Sequence, residues 1–140
     1  MTTIFSRIID GELPGRFVWR DERAVAFMSI APLQPGHTLV VPVAEVDHWI
    51  DLEPDLATHL MSVSQTIGTA IYTAFSPVKV GLMLAGLEVP HTHLHVVPIH
   101  GVHDLDFANA DTAASGDDVE AAADKIRSAL RDMGQAEVSE

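Results

Sequence analysis

Residues 91–97 read His91-Thr92-His93-Leu94-His95-Val96-Val97 and place three histidines at alternate positions in a stretch that otherwise favours a strand. Alternate residues of a β-strand share one face, so this spacing predicts a row of imidazoles with neighbours about 6.5–7 Å apart. Leu94 and Val96 then face the core. The stretch therefore predicts a strand with one buried apolar face and one face lined by three imidazoles.

The residues alone leave three interpretations of this row open. The histidines form a solvated polar face, they ligate a metal, or one attacks an electrophile while its neighbours bind the surrounding oxygens. Zinc needs a third or fourth ligand, for which His37, His100 and His103 are candidates. Strict alternation favours a functional row, and catalysis is favoured over metal binding.

The composition restricts the class of protein. A chain of 140 residues fits one domain, and the absence of cysteine excludes disulfides, thiolate zinc ligands and a cysteine nucleophile. The net charge of −12 argues against a nucleic-acid partner, because proteins that bind phosphate backbones carry surplus Lys and Arg. We therefore expect any bound phosphate to belong to a small ligand.

Neither a membrane span nor a secretion signal is expected. The longest apolar run, residues 80–87, is far shorter than the ~20 residues of a spanning helix. The first residues lack a basic segment followed by an apolar one. We expect a cytoplasmic protein without a membrane partner.

Periodicity predicts the order of elements. Strand patterns occupy residues 16–20, 24–29, 37–42, 78–84 and 89–97. Apolar residues at helical spacing predict a long amphipathic helix from Pro54 to about residue 75, and a C-terminal helix that begins near Ser115 or Gly116. Residues 101–116 read as a surface arm and residues 135–140 as a frayed end.

These elements predict an α+β fold, in which an antiparallel five-stranded meander sheet packs with one long helix and a C-terminal helix. Residues 1–100 are expected to form the main domain. Residues 101–140 are expected to pack on that domain as an arm and an amphipathic helix.

The alternation of histidines with mostly apolar residues at 91–97 resembles the signature of the histidine triad superfamily of nucleotide-binding proteins, from which only Thr92 departs. Residues 4–14 look like the family's N-terminal segment, and residues 26–42 resemble its central hairpin. The resemblance covers roughly residues 3–100 in the family's order. It also implies the family's HIT-like fold.

The resemblance implies that His93 is the nucleophile and forms a covalent nucleotidyl-histidine, which water or another acceptor resolves. Attack through Nε2 requires the proton to stay on Nδ1. The family holds it there with the backbone carbonyl of the first triad histidine, here His91. By the same resemblance His95 contacts the α-phosphate oxygens, and His37 matches an additional histidine close to the triad.

The nucleotide site is also implied by position. The residues that match the family's purine pocket are Phe5, Ile8, Phe27 and Ile30, and Ser29 stands where many members carry an acidic residue for the ribose hydroxyls. The loop before the triad matches the family at Gly86, Glu88 and Val89. Leu87 replaces a glutamine on which the dinucleoside polyphosphate-cleaving branch relies.

Neither a metal nor a cofactor is expected. Thr3, Ser6 and Glu45 stand where zinc-carrying members of the family place two cysteines and a histidine. The chain therefore resembles a bacterial-type member that lacks the zinc site.

The resemblance implies an enzyme that hydrolyses a purine nucleoside phosphoramidate or another adenylylated small molecule. The alternatives are dinucleoside polyphosphate hydrolysis, nucleotidyl transfer, and a regulatory protein that binds nucleotides with little turnover. Family members usually pair through the long helix and an adjacent strand, so a homodimer is also expected.

Overall fold

A computed structural model gives the fold of residues 2–139. Within these residues three helices and five strands follow in the order α1 (Ile4–Ile9), β1 (Phe17–Arg20), β2 (Ala24–Met28), β3 (Thr38–Pro42), α2 (Pro54–Phe75), β4 (Lys79–Met83), β5 (Leu94–Ile99) and α3 (Gly116–Asp132). Short 3₁₀ turns lie at Trp49–Asp51, Val102–Leu105 and Phe107–Asn109. None of the helices described has the length and apolar content to span a bilayer.

The five strands form one antiparallel sheet in the order β1-β2-β3-β5-β4. The first three strands follow each other as a meander, and α2 then carries the chain to the far edge. β5 returns between β3 and β4, so the strand that carries the last triad histidine is central. The predicted α+β class with a five-stranded antiparallel sheet is confirmed, while the strand order departs from a simple meander after β3.

The helices α2 and α3 cover one face of the sheet. Val40 of β3, Ile67 of α2 and Ile126 of α3 are fully buried in the cluster between them. Leu94 and Val96 of β5 belong to the same cluster, as the alternation predicts. The main core thus lies behind the histidine row and holds its strand in place.

The short helix α1 covers part of the opposite face. Val25, Phe27 and Leu39 alternate along their strands with residues of the main core and form a second, smaller cluster with Phe5 of α1. The strand register places Leu39 opposite both Phe27 and His95. Directly opposed residues share a face, so the histidine row adjoins this second cluster.

β5 begins later than the alternation predicts, at Leu94, because the chain before it pairs elsewhere. The backbone N–H and the hydroxyl of Thr92 both donate to the carbonyl of Val46 at 2.7 Å, in the loop after β3. The strand also continues through Pro98. That proline lies beyond Val96, the last residue that pairs with β3, and proline is tolerated where a strand is paired on one side only.

The prediction of a frayed C-terminal end is wrong for residues 135–139, and Glu140 lies outside the described residues. The backbone N–H of Ser139 donates to the carbonyl of Val18 in β1 at 3.1 Å. β1 is an edge strand with unpaired backbone groups, and pairing with the tail satisfies them.

Arg127 of α3 ties this tail to the sheet. Only 5% of the residue is exposed, and its Nε donates to the carbonyls of Phe17 and Ser139, both at 2.9 Å. Its Nη1 also bonds the carboxylates of Glu120 and Asp124. One guanidinium therefore joins α3, β1 and the chain end.

We predict that Arg127→Met lowers the free energy of unfolding by about 3 kcal/mol, because two partly buried carbonyls lose a charged donor. Urea denaturation measures the change, and faster amide exchange at Ser139 locates it. The matched control is Arg7→Met, whose ion pair with Glu12 is largely exposed and should contribute less than about 1 kcal/mol. Equal effects of the two substitutions would contradict this role for Arg127.

Candidate active site

The three triad histidines are buried side by side where β5 begins. The exposed fractions are 0% for His91, 2% for His93 and 6% for His95. The ring centroids of His93 and His95 lie 4.9 Å apart with an interplanar angle of 65°. This is closer than the spacing expected along a regular strand, and His93 lies just before the paired part of β5. The two rings therefore lie close enough to act on one bound group.

A backbone carbonyl fixes the proton of His93. Nδ1 of His93 lies 2.7 Å from the carbonyl oxygen of His91. A carbonyl only accepts, so Nδ1 carries the proton and Nε2 keeps its lone pair. Oε2 of Glu88 lies 4.0 Å from Nε2 of His93. The hydrogen bond to His91 thus leaves Nε2 of His93 as the nitrogen available for attack.

A second chain of hydrogen bonds fixes the opposite tautomer in His95. The backbone N–H of Leu33 donates to Nδ1 of His37 at 3.0 Å, so the proton of His37 lies on Nε2. That N–H donates to Nδ1 of His95 at 2.9 Å, and the proton of His95 must then lie on its own Nε2. This nitrogen is buried and has no hydrogen-bond partner among residues 2–139.

The environment keeps the imidazoles of His37 and His95 neutral. Burial, together with the charges of His95 and His93, lowers the pKa of His37 to about 3. Burial and the charge of His93 lower the pKa of His95 to about 4. At neutral pH the tautomers described above for His37 and His95 are therefore the populated forms.

The arrangement places the Nε2 lone pair of His93 beside the Nε2–H donor of His95, which has no partner among the described residues. An electrophilic phosphorus bonded by Nε2 of His93 would place one of its oxygens within reach of Nε2–H of His95. Donors fixed in a buried site stabilise charge that grows on such an oxygen. The site is suited to nucleophilic displacement at phosphorus.

Some of the residues predicted for the nucleotide site come together in the structure. Phe5 packs edge-on against Phe27 at 5.5 Å and against His93 at 4.9 Å between ring centroids. Ile8 and Val89 pack against the same cluster. An apolar wall thus stands directly beside the proposed nucleophile.

Ser29 and Ile30 lie apart from that wall. The hydroxyl of Ser29 accepts the N–H of Ala31 at 3.3 Å, and its side chain lines a cavity of about 350 Å³ between its own loop and α3. Ile30 is 81% exposed. The structure places both residues on the loop after β2 and not in the Phe5 cluster.

The loop before the triad is open to solvent. Gly86 has φ +73°, a left-handed conformation that glycine adopts without strain. Leu87 is 90% exposed, whereas Glu88 turns back toward His93. The loop thus reaches the nucleophile through Glu88.

Phe107 is a site residue that the sequence patterns missed. Its ring centroid lies 5.1 Å from that of His95. Asp104 anchors the arm nearby by accepting from the N–H of His100 at 2.8 Å and from Gln34 at 3.1 Å. Phe107 is the one Phe, Tyr or Trp after residue 100, and an isolated aromatic in an Asp- and Ala-rich arm was the available signal.

The described residues offer no evident metal site. Among residues 2–139 no group of three or more His, Cys, Asp or Glu side chains is arranged to hold a metal ion. His37 bonds to His95, while His100 and His103 lie exposed at the start of the arm. Of the candidates for further ligands, His37 therefore lies beside the triad with both ring nitrogens already hydrogen-bonded, and the other two are exposed.

Comparison with known proteins agrees with this geometry. Residues 10–102 match the model of the HIT domain family. The protein hit of Bacillus subtilis is 32% identical over 106 residues, which are 72% of this chain and 73% of that protein. The Zn-bound histidine triad family protein from Mycobacterium smegmatis superposes with a TM-score of 0.82 and 26% identity, covering 98% of this chain and 99% of that one.

A bis(5'-nucleosyl)-tetraphosphatase from Schizosaccharomyces pombe is 32% identical over 85 residues, which are 57% of this chain and 47% of that protein. The HIT-domain match at residues 10–102 covers all five strands of the sheet and the triad. The chain therefore belongs to the histidine triad family of nucleotide-related hydrolases and transferases.

Proposed function

We propose that the chain hydrolyses the P–N bond of a purine nucleoside phosphoramidate, or of a related adenylylated small molecule, through a covalent adenylate on His93. The observation that carries this proposal is that two adjacent rings, His93 and His95, are held in opposite tautomers. His93 offers an unprotonated Nε2 because of the His91 carbonyl. His95 offers a buried Nε2–H because of His37.

The proposed reaction has two displacements. The lone pair of His93 Nε2 attacks the α-phosphorus, the P–N bond to the amine breaks, and the amine leaves with a proton from solvent. Water then attacks the phosphorus, the P–Nε2 bond breaks, and AMP is released. The N–H of His95 donates to the oxygen on which charge grows in both steps.

The proposed ligand is a small purine nucleotide. Phe5, Ile8 and Phe27 supply an apolar wall for the base beside His93. The rest of the proposed nucleotide site comprises Gly86, Glu88 and Val89 of the loop before the triad, and Ser29 and Ile30 of the loop after β2, which lie outside the wall of the base and are proposed to contact another part of the nucleotide. Proteins that grip extended nucleic acid need surplus positive charge, which a net charge of −12 does not offer.

A second candidate is cleavage of a phosphoanhydride in a dinucleoside polyphosphate. The similarity to the Schizosaccharomyces pombe tetraphosphatase favours it. Against it, Leu87 has no hydrogen-bonding side chain, and it stands where, by the family resemblance, the branch that cleaves dinucleoside polyphosphates uses glutamine. The two activities require the same nucleophile and differ in the leaving group.

We predict that brief incubation with adenosine 5'-phosphoramidate adds one AMP to the native protein, and that His95→Ala forms this adduct more slowly and releases less AMP, because both steps lose the same donor. His93→Ala should form no adduct and lose about 10⁴-fold or more of the turnover. Intact mass and AMP release measure both effects. His100→Ala, a change at an exposed histidine, is the control and should keep native turnover.

The same assay with a diadenosine tetraphosphate separates the candidates. Faster AMP release from the tetraphosphate would assign phosphoanhydride cleavage. Nucleotide binding without turnover would indicate a regulatory protein. Absence of adduct and turnover in all variants would refute catalysis by His93.

The neutral state of His37 predicts a pH dependence of stability. The unfolded chain has ordinary histidine pKa values near 6.5, so it binds more protons than the folded protein as the pH falls from about 6.5 to 4. The contribution of the neutral His37 to the free energy of unfolding is fully present above about pH 6.5 and is lost as the pH falls toward the lowered pKa values. His37→Gln keeps an amide donor for His95 without a titrating ring.

Between about pH 6.5 and 5, the free energy of unfolding of native protein should fall more steeply than that of His37→Gln, by about 1 kcal/mol per pH unit. Urea denaturation over this range measures both slopes. Parallel slopes would show that His37 is not held neutral in the folded protein.

We also propose that the chain forms a homodimer through α2 and β4. β4 is a sheet edge, and Leu82 lies opposite Val96, on the face that α2 covers. Leu82, Met61 and Tyr72 are 43%, 53% and 56% exposed, which gives this edge an apolar patch across strand and helix. Unpaired edges with apolar neighbours favour pairing with a second copy.

Light scattering after gel filtration should give twice the 15.1 kDa chain mass for native protein. Leu82→Glu should give the monomer mass, because a carboxylate would be buried in the interface. The control is Val102→Glu on the arm, where an 84% exposed side chain should leave the dimer intact. A native monomer at micromolar concentration would contradict the proposal.

A further inference from the structure

Four side chains form a hydrogen-bonded cluster at the start of α1, here called the N-terminal clasp and composed of Thr3, Ser6, Glu45 and His91. The backbone N–H of Thr3 and the hydroxyl of Ser6 donate to Oε1 of Glu45 at 2.7 and 2.6 Å. The hydroxyl of Thr3 lies 2.7 Å from Nδ1 of His91. Thr3 is also the N-cap of α1, because its Oγ1 accepts the N–H of Ser6 at 3.1 Å.

The direction of the bond between Thr3 and His91 follows from the other side of the ring. Nε2 of His91 lies 2.8 Å from the carbonyl of Pro42, which only accepts, so the single proton of the neutral ring is on Nε2. Nδ1 is then an acceptor. The hydroxyl of Thr3 must donate to it.

The clasp therefore fixes the residue whose carbonyl orients the nucleophile. The ring of His91 is held between Thr3 and Pro42, and its backbone N–H donates to the carbonyl of Val89 at 2.7 Å. With ring and amide both held, the carbonyl of His91 points at Nδ1 of His93. The clasp thus acts on the nucleophile through a single shared residue.

The clasp residues do not suit zinc. Zinc sites use thiolate, imidazole and carboxylate ligands, whereas two clasp positions carry hydroxyls and both ring nitrogens of His91 are already bonded. Oε1 of Glu45 already accepts two hydrogen bonds. Thr3, Ser6 and Glu45, which by the resemblance match zinc ligands of other members, are thus joined here by hydrogen bonds.

We propose that Thr3 is a positioning residue for the reaction, and that the clasp anchors His91 by hydrogen bonds and without a metal. This inference rests on the proposed function of His93. Loss of the Thr3 hydroxyl frees the ring of His91, and the acceptor that selects the Nδ1 tautomer of His93 then moves. The fraction of His93 with a lone pair on Nε2 falls.

Thr3→Val removes the hydroxyl at nearly constant shape and should lower kcat for adenosine 5'-phosphoramidate about tenfold with little change in KM. Thr3→Ser should restore kcat. Thr3→Asp separates the two roles of Thr3, because aspartate caps a helix but has no proton to donate, so kcat should stay low. Arg7→Ala, on the exposed side of the same helix, is the control with native kcat.

Long-range proton–nitrogen NMR spectra of the imidazoles test the clasp without turnover. Native protein should show His91 protonated only on Nε2 and His93 only on Nδ1, and Thr3→Val should show a mixture of His93 tautomers. Native kcat in Thr3→Val or Thr3→Asp would overturn the proposal. Protonation of His91 Nδ1 in native protein would do the same, even where Thr3→Val fails to fold.

These outcomes also separate the clasp from the proposed function. If native protein releases no AMP, the proposed function fails. The tautomers of His91 and His93 then decide whether the clasp holds its carbonyl.

Discussion

A neutral imidazole has two nitrogens and one proton, so a buried histidine has a defined role only where its surroundings fix that proton. Backbone groups do so at this site. The carbonyl of His91 keeps the proton of His93 on Nδ1, and the N–H of Leu33, acting through His37, keeps that of His95 on Nε2. Two adjacent identical rings therefore differ in chemistry, and backbone groups that do not titrate maintain the difference.

This assignment depends on the rigidity of the sheet. His95 lies in a central strand, with β3 on one side and β4 on the other, and the main core packs behind it. On the site face, Phe5 of α1 contacts His93 and Phe107 of the arm contacts His95. These aromatic walls shield the Nε2–H of His95 and the Nε2 lone pair of His93 from water. Electrostatic interactions with a ligand are stronger in such a shielded site than in water.

The sequence predicts the parts of this architecture that arise from local patterns. The helix α2 has the predicted bounds because its apolar spacing is regular, Pro54 suits a first turn, and Ser76 ends the helix in a left-handed conformation. The sequence also predicts the histidine row, because alternation is a local signal. By contrast, α1 has six residues, too few for a helical period to show.

The features that the sequence did not predict depend on partners distant in the chain. Thr3 and His91 are 88 positions apart, and no local pattern indicates that a helix cap will bond to a triad ring. The contact of Phe107 with His95 and the pairing of the tail with β1 have the same origin. Periodicity in the sequence does not predict contacts between residues that only the fold brings together.

The clasp shows why a chain without cysteine can still keep this site ordered. Hydrogen bonds from Ser6 and Thr3 lower the pKa of Glu45, and burial lowers the pKa of His91. At neutral pH the carboxylate is therefore ionised and the imidazole neutral, which is the combination that gives every donor of the clasp an acceptor. Two hydroxyls that would be weak metal ligands are effective in this network because each can donate a proton. The hydrogen bonds of the clasp thus anchor His91, and its carbonyl keeps the position from which it accepts the Nδ1–H of His93.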